Sequence, residues 1–225
     1  MPALDRPTTL TAEAISYIRD AVIRGQFEAN APLPEIKLAE DLQTSRVTIR
    51  VALRALAEQG LVDIVPYRGA FVSELTTKTA REIFSLRAVL ESYAVRLALA
   101  AGPYSNEALE QLEDSLIRIE AAQDDEDPFS VIDAVVEFHW LIAAQCNHDL
   151  LLSVLENLQP QVRRLVFYTK VYESDELTEF EGHRQLIDAI RAGDPDHGAG
   201  IVFAHVSGSG ERLVAVMEAS TAESK

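Results

Sequence analysis

Strand-like sequence is confined to one short part of this chain, and helical spacing of apolar residues fills most of the rest. Residues 61–75 read "LVDIVPYRGAFVSEL", where two β-branched runs flank "PYRG" and predict a β-hairpin. After a polar hinge, apolar residues recur at helical spacing to near the C-terminus. These helical stretches span about 79–101, 105–122, 129–146, 149–171, 178–192 and 196–219. The chain is therefore predicted to be mainly α, with an all-α helical bundle after the hairpin.

Three further helices are predicted before the hairpin. Residues 12–24 carry apolar residues at helical spacing, and a short helix follows from about Glu35. The apolar side of the short helix is predicted to hold Ile36, Ala39 and Leu42. Only "QTS" separates it from the third helix. The side-chain oxygen of Thr44 or Ser45 can accept a hydrogen bond from the free N–H groups at the start of that helix. Two helices joined by a three-residue turn and followed by a hairpin predict a winged helix-turn-helix.

The third helix has a basic outer face in an acidic chain. The formal net charge is −16, yet residues 1–76 carry 8 Lys and Arg against 10 Asp and Glu. Arg46, Arg50 and Arg54 fall within about 80° of each other, away from the apolar side of the helix. On an isolated helix such a face is more simply a solvated surface, but a hairpin directly after it favours a helix that reads DNA. An arginine fork can bond guanine O6 and N7 together.

The bulk composition bounds the class of protein. A chain of 225 residues is long enough for two modest domains, which we place at 1–76 and 77–225. A single cysteine, Cys146, excludes an internal disulfide framework and suits a reducing compartment. No apolar run of membrane-spanning length occurs, and "MPALDRPTTL" lacks the pattern of a signal peptide. We therefore expect a cytoplasmic protein without a membrane partner.

The span 25–72 resembles the DNA-binding domain of GntR-family bacterial transcription regulators. The residues that match the family motif are Leu33, Glu35, Leu38, Ala39, Leu42, Ser45, Arg46, Arg50, Ala52, Leu53, Leu56, Gly60, Leu61, Val62, Arg68, Gly69 and Val72. The helix start and the wing together give a predicted DNA-contacting set of Ser45, Arg46, Val47, Thr48, Arg50, Arg54, Arg68 and Gly69. Ile36 stands where many members carry an arginine, and Thr48 replaces a common proline. The operator is therefore not expected to follow the family average.

Three histidines of the second part predict a metal site. His139 lies in the middle of one predicted helix, His183 near the start of another and His205 inside the last. Three neutral imidazoles with open positions for water or ligand suit zinc or a similar divalent ion. Taken singly, each histidine is more simply a hydrogen-bonded structural residue. His148 and His197 flank helix ends and are assigned only that structural role.

Three segments of the second part are similar to the FCD-type effector domain of one large GntR subfamily: "RAVLESYAVRLA", "FHWLIAAQCNHDLL" and "EFEGHRQLIDAIRAGDPDHGAGIVFAHV". In that domain one Asp and three His often hold a divalent metal, and His139, His183 and His205 match the three histidines. The Asp, four residues before the first His, is replaced by Val135. The resemblance thus implies a metal site that has lost its carboxylate. Such a site is more positive and favours a carboxylate effector.

Arginines supply the other candidates for the effector cavity. In FCD-like proteins an arginine on the first helix of the domain often faces the ligand, and Arg87 is predicted to bind the effector on that ground. The alternative is an ion pair between Arg87 and Glu91 on the helix surface. Arg163 and Arg164 are further candidates to meet an anion, and the sequence does not decide which of them points inward.

These patterns predict a homodimeric transcription regulator, most simply a repressor. Its partner is double-stranded operator DNA, and a small metabolite bound near the three-histidine metal controls its DNA affinity. One alternative is a regulator that responds to metal alone. Another, from a different class, is a zinc-dependent hydrolase with Asp133 or Glu137 as base. Neither carboxylate shares the face of His139, so we do not expect an enzyme.

Overall fold

The computed structural model describes residues 9–123, 127–171 and 180–223. The chain divides into two compact units, Met1–Leu75 and Thr76–Lys225. Most of the "MPALDRPTTL" segment and the predicted helix start at 178 lie outside the described residues. In the part of the chain that the structure describes, no helix is both long and apolar enough to cross a membrane.

The first unit is a winged helix-turn-helix, as the sequence predicts. Its elements are α1 (Thr9–Ile23), α2 (Glu35–Asp41), α3 (Arg46–Glu58), β1 (Val62–Val65) and β2 (Gly69–Val72). Its core is formed by side chains from every one of these elements and the loop between α1 and α2. The buried apolar residues include Ile18, Val22, Leu33, Leu38, Ala39, Ile49, Ala52, Leu53, Leu56, Leu61, Val62 and Val72.

The apolar side of α2 differs from the prediction at one residue. Leu38 and Ala39 are the buried residues of this helix, whereas Ile36 is 55% exposed. A helix of only seven residues makes about two turns, so neighbouring positions 38 and 39 suffice to anchor it on α3. Ile36 therefore lies on the outer side of the helix-turn-helix rather than in its core.

The wing is an antiparallel hairpin with a tight tip. Val62 pairs with Val72 and Val65 with Gly69, which leaves residues 66–68 as the loop. The N–H of Arg68 donates to the carbonyl of Val65 at 3.1 Å, the hydrogen bond that closes a four-residue turn. The N–H of Leu33 donates to the carbonyl of Ala70 at 2.8 Å, which ties the wing to the segment before α2.

The second unit is an all-α bundle. Its helices are α4 (Thr77–Ala101), α5 (Asn106–Ala122), α6 (Pro128–Ala144), α7 (Asp149–Thr169), α8 (Phe180–Ala192) and α9 (Pro195–Glu223). The hydroxyls of Thr76 and Ser105 accept N–H groups at the starts of α4 and α5, and the Asp127 carboxylate does the same for α6. The helices thus begin where capping side chains meet the predicted breaks in periodicity.

The long helix α4 lies at the centre of this bundle. It packs along α9 and also contacts α6 and α7, while α8 packs on α9 and α5. Side chains from α4, α6, α8 and α9 consequently face one interior region. The same packing buries a secondary cluster of Ala94, Ala143, Cys146, Leu151 and Leu155.

Candidate DNA-reading surface and three-histidine cavity

The start of α3 is fixed by a local cap. Ser45 has extended backbone, and its hydroxyl accepts the N–H of Thr48 at 3.0 Å. The hydroxyls of Ser45 and Thr48 also hydrogen-bond to each other at 2.8 Å. Of the two predicted caps, Ser45 is thus the one in place. The cap holds two members of the predicted DNA-contacting set against each other at the N-terminal end of α3.

The outer face of α3 presents the predicted basic set to solvent. Arg46, Val47, Arg50 and Arg54 are exposed, and the Val47 side chain is 69% exposed. The opposite face of the helix is buried in the core. An exposed valine flanked by arginines suits a surface that meets base edges and thymine methyl groups, since both polar and apolar contacts read the major groove.

Arg50 is engaged in an ion pair that the sequence reasoning missed. Its Nε and Nη2 donate to the two carboxylate oxygens of Glu35 on α2 at 2.9 and 2.7 Å. Arg46 Nη2 lies 3.8 Å from the same carboxylate. The hydrogen bonds from Arg50 hold the pKa of Glu35 below its usual value. Glu35 precedes the basic run by a full helix and turn, so inspection of residues 46–54 alone does not reveal it.

The wing tip exposes four consecutive residues, Pro66 to Gly69. Arg68 and Gly69 are exposed, and the Arg68 guanidinium lies 5.4 Å from the ring centroid of Phe71. Gly69 adopts a φ of +101°, a conformation that favours glycine. Tyr67, which was not among the predicted DNA contacts, has a φ of +63° and a fully exposed side chain. A turn with Pro66 in second place normally carries glycine or asparagine in third place when φ there is positive.

The three predicted ligand histidines converge in the helical unit. His139 projects from α6, His183 from α8 and His205 from α9, and their ring centroids lie 4.8 to 5.7 Å apart. Their ligand nitrogens all lie within 4.8 Å of one another. His183 is 1% exposed and His139 is 7% exposed. The structure thus brings together three histidines that lie far apart in the chain, as the sequence predicted.

The donor chemistry of this cluster fits a metal ion. Burial lowers the pKa of His205 to about 2, and the charges of the neighbouring histidines add to the effect. A histidine that stays neutral keeps the lone pair that a metal needs. Zinc bound at about 2.1 Å from each nitrogen requires the nitrogens about 3.4 Å apart. The present limit of 4.8 Å is larger than that value, so binding a metal would require the rings to move closer together.

Arg87 and Glu91 form a buried pair rather than the surface pair weighed from the sequence. Arg87 Nε donates to Glu91 Oε1 at 2.8 Å, and both side chains are at most 10% exposed. The other carboxylate oxygen, Oε2, lies 2.9 Å from His139 Nδ1. Burial alone raises the pKa of Glu91, but the charge of Arg87 and the hydrogen bonds from Arg87 and His139 outweigh it. The pKa therefore lies below its usual value.

The carboxylates on α6 lie outside the cluster. Asp133 and Glu137 are 57% and 53% exposed and pair with Arg163 and Arg118 respectively. Neither is placed to activate a molecule bound at the histidines. Val135, at the position of the missing ligand, is buried and lines the cavity. Of the two adjacent arginines on α7, Arg164 is the buried one.

The cavity beside the histidines is tight. Its lining includes Arg87, Val135 and the three histidines, with Phe84, Ile132 and Val166 among the apolar residues. The space free for a water-sized molecule is about 20 Å³. That space holds one water or a small ion. A larger ligand requires side chains to move.

A winged helix-turn-helix followed by an all-α helical bundle defines a class of DNA-binding protein. The model of the bacterial regulatory proteins of the gntR family matches residues 10–72, and that of the FCD domain matches residues 82–208. The chain belongs to the GntR family and carries an FCD domain. It is a DNA-binding transcription regulator and not an enzyme.

Individual relatives agree with the family. The chain is 29% identical over 185 residues to the gluconate operon transcriptional repressor of Bacillus licheniformis, covering 80% of this chain and 74% of that protein. It is 28% identical over 213 residues to the galactonate operon transcriptional repressor of Escherichia coli, covering 85% and 91%. A crystal structure of a GntR transcriptional regulator from Rhodococcus sp. RHA1 shares the fold, with a TM-score of 0.76 at 22% identity over 92% of this chain and 99% of that one.

Proposed function

We propose that this regulator is a repressor whose operator affinity is controlled by a small carboxylate bound in the helical unit beside a metal on His139, His183 and His205. The single observation that carries the proposal is that Arg87 and the three histidines line the same cavity. A guanidinium and a metal ion are the two groups best suited to hold a carboxylate in a buried site.

The relatives suggest which carboxylates to try. Two of them are named as repressors of gluconate and galactonate operons. Both compounds are hydroxycarboxylates, with a carboxylate for Arg87 and hydroxyls for a metal. Because the free space is only about 20 Å³, such a ligand must displace side chains as it binds. A required movement is the means by which a ligand selects one arrangement of a helical bundle over another.

Zinc or a similar divalent ion is the proposed cofactor. His139, His183 and His205 would hold it, and it would supply positive charge and open coordination positions for the effector. Val135 contributes no ligand, so the protein offers three neutral donors. Because these donors are neutral, the bound ion would keep its full positive charge. An anionic effector would then complete its coordination.

A homodimer is the proposed DNA-binding form. One recognition helix reads only a few base pairs, so two half-sites are needed for a specific operator. Effector binding would then change the spacing of the two recognition helices. The relatives named as repressors support repression that the effector relieves as the sign of the response.

A metal-responsive regulator without an organic effector is the second candidate. The observation that favours it is the size of the free space, which suits a small ion and nothing larger. This candidate uses the same three histidines. It differs in that metal alone changes the DNA affinity.

The DNA-binding half of the proposal is tested with Arg50→Ala. A duplex selected by the wild-type protein from a random pool serves as the operator. Arg50→Ala is expected to weaken binding to it by about 5- to 150-fold, the range for one specific arginine contact. Arg118→Ala, which removes an equally exposed arginine from the helical unit, is the control. Equal affinity of Arg50→Ala and wild type would refute the role of Arg50.

The metal half is tested by elemental analysis of purified wild type and His183→Ala. Near-stoichiometric metal in wild type, lost in His183→Ala, is the expected result. His197→Ala is the matched control, because His197 is exposed and engages Asp194 through its backbone N–H. Metal absent from wild type and from the variant would remove the metal from the proposal.

A further inference from the structure

A carboxylate on α4 touches the three-histidine cluster from outside. Glu91 is 3% exposed, and its two oxygens have different partners. Oε1 accepts from Arg87 at 2.8 Å, and Oε2 lies 2.9 Å from Nδ1 of His139. Glu91 therefore joins α4 to α6 at His139, the histidine that lies four residues after Val135.

The chemistry of this contact fixes the proton on His139. Paired with Arg87, Glu91 is an ionised carboxylate, and such a group only accepts hydrogen bonds. His139 must then donate from Nδ1, which leaves the lone pair of the neutral ring on Nε2. A metal-bound histidine generally hands its other N–H to a carboxylate or carbonyl, and this contact sets the orientation and basicity of the ring.

We propose that Glu91 is the positioning residue of the three-histidine site and that it supplies, through His139, the negative charge that Val135 cannot. The inference rests on the proposed metal site. It adds a fourth helix, α4, to the three that carry the ligands. It also links the metal to Arg87, the candidate effector contact, because one carboxylate holds both side chains.

Metal affinity is the first test. Co²⁺ binding to the full chain is measured by competition with a chromophoric chelator for wild type, Glu91→Gln and Glu137→Gln. Glu91→Gln is expected to bind about 10- to 100-fold more weakly, the range for loss of such a partner of a metal-bound histidine. Glu137→Gln is the matched control, since Glu137 lies two residues from His139 but pairs with Arg118 at the surface. Its affinity should equal that of wild type.

Removal of Glu91 alone leaves Arg87 buried without its carboxylate, which can prevent folding. The double variant Arg87→Met with Glu91→Gln removes both charges and keeps the shape of the pair. It should show the same weakened Co²⁺ binding. Wild-type affinity in a folded Glu91→Gln or in the double variant would overturn the inference. No Co²⁺ binding by wild type would instead overturn the metal site itself.

The proton position on His139 is the second test and needs no metal. Long-range ¹H–¹⁵N NMR spectra of the metal-free wild type at pH 8 should show hydrogen on Nδ1 and none on Nε2. In Glu91→Gln the side-chain amide can donate as well as accept, so the Nε2–H form should appear. Hydrogen on Nε2 in wild type would contradict the inference, as would identical spectra for the two proteins. A purely structural role for Glu91 would not change which nitrogen carries the proton.

Discussion

At the scale of single residues, the ion pair between Glu35 and Arg50 is the main feature of the basic face of α3. The bidentate contact of Glu35 occupies one edge of the Arg50 guanidinium, the edge formed by Nε and Nη2. The remaining edge, with Nη1, stays available to a base. A carboxylate beside the DNA-reading surface also opposes non-specific binding, because it repels phosphates. We therefore expect Glu35 to orient Arg50 and to limit its attraction to DNA of any sequence.

Glu35→Gln tests this account of the ion pair. The variant loses one negative charge and the bidentate carboxylate contact with Arg50, so affinity for a random-sequence duplex should rise. The slope of log affinity against log salt should steepen by about 0.9 for one added phosphate contact. Fluorescence anisotropy across a salt series measures both quantities. Glu28→Gln, which neutralises an exposed carboxylate in the loop between α1 and α2, is the control. Unchanged affinity and slope in Glu35→Gln would contradict the account.

Tyr67 at the wing tip offers a second prediction. A non-glycine residue with a φ of +63° and a fully exposed ring costs stability without a compensating contact in the first unit. We expect that its hydroxyl meets a DNA phosphate. Tyr67→Gly should weaken operator binding about five-fold, the equivalent of one hydrogen bond of about 1 kcal/mol. Folding stability should be unchanged or slightly raised. Wild-type operator affinity in Tyr67→Gly would exclude the contact.

At the scale of elements, the sequence predicted which segments are helices and where the hairpin lies. Periodicity, capping residues and the "PYRG" turn are local properties, so they are readable without the fold. The prediction that Ile36 lies on the apolar side of α2 was wrong, because a seven-residue helix has too few apolar positions to define one side from its pattern alone. Arg87 was predicted to face the cavity, but the burial of its partner Glu91 was missed. Their spacing is that of an ordinary surface ion pair, and only the packing of α9, α6 and α7 around α4 buries them.

The packing of α4 on α9 depends on a glycine. A Cβ built on Gly210 of α9 would lie 2.5 Å from Cβ of Phe84 on α4, whereas one on Gly200 of the same helix meets nothing within 4 Å. Gly210→Ala should therefore destabilise the helical unit by about 1–3 kcal/mol through overpacking. Gly200→Ala, the matched control, should stabilise it by about 0.5–1 kcal/mol because alanine favours helices.

Chemical denaturation followed by tryptophan fluorescence measures both variants. The single tryptophan of the chain, Trp140, lies in α6 and reports on the helical unit. Opposite shifts of the unfolding midpoint are expected. A midpoint raised by Gly210→Ala would show that α4 and α9 have room to spare and that the close approach of the two helices is not needed.

At the scale of the whole molecule, one unit reads DNA and the other carries the cavity. The first unit exposes Arg46, Arg50 and Arg54 on α3, although the chain as a whole carries a formal net charge of −16. The second unit opens with α4, which begins at Thr77 directly after the wing and carries Arg87 and Glu91. A change at the cavity would therefore act on the helix that is covalently joined to the DNA-binding unit. This connection is the physical basis of the proposed regulation.

The central claim is that occupancy of the three-histidine cavity sets operator affinity. The most direct test is operator binding by metal-free and zinc-loaded wild type and His183→Ala, with and without gluconate, galactonate or acetate. The account predicts that one of the hydroxycarboxylates changes wild-type affinity by about 5- to 150-fold, the usual range of such coupling. His183→Ala should not respond. A response of wild type to zinc alone would establish the metal-responsive candidate instead, and affinity unchanged under every condition would contradict control through this cavity.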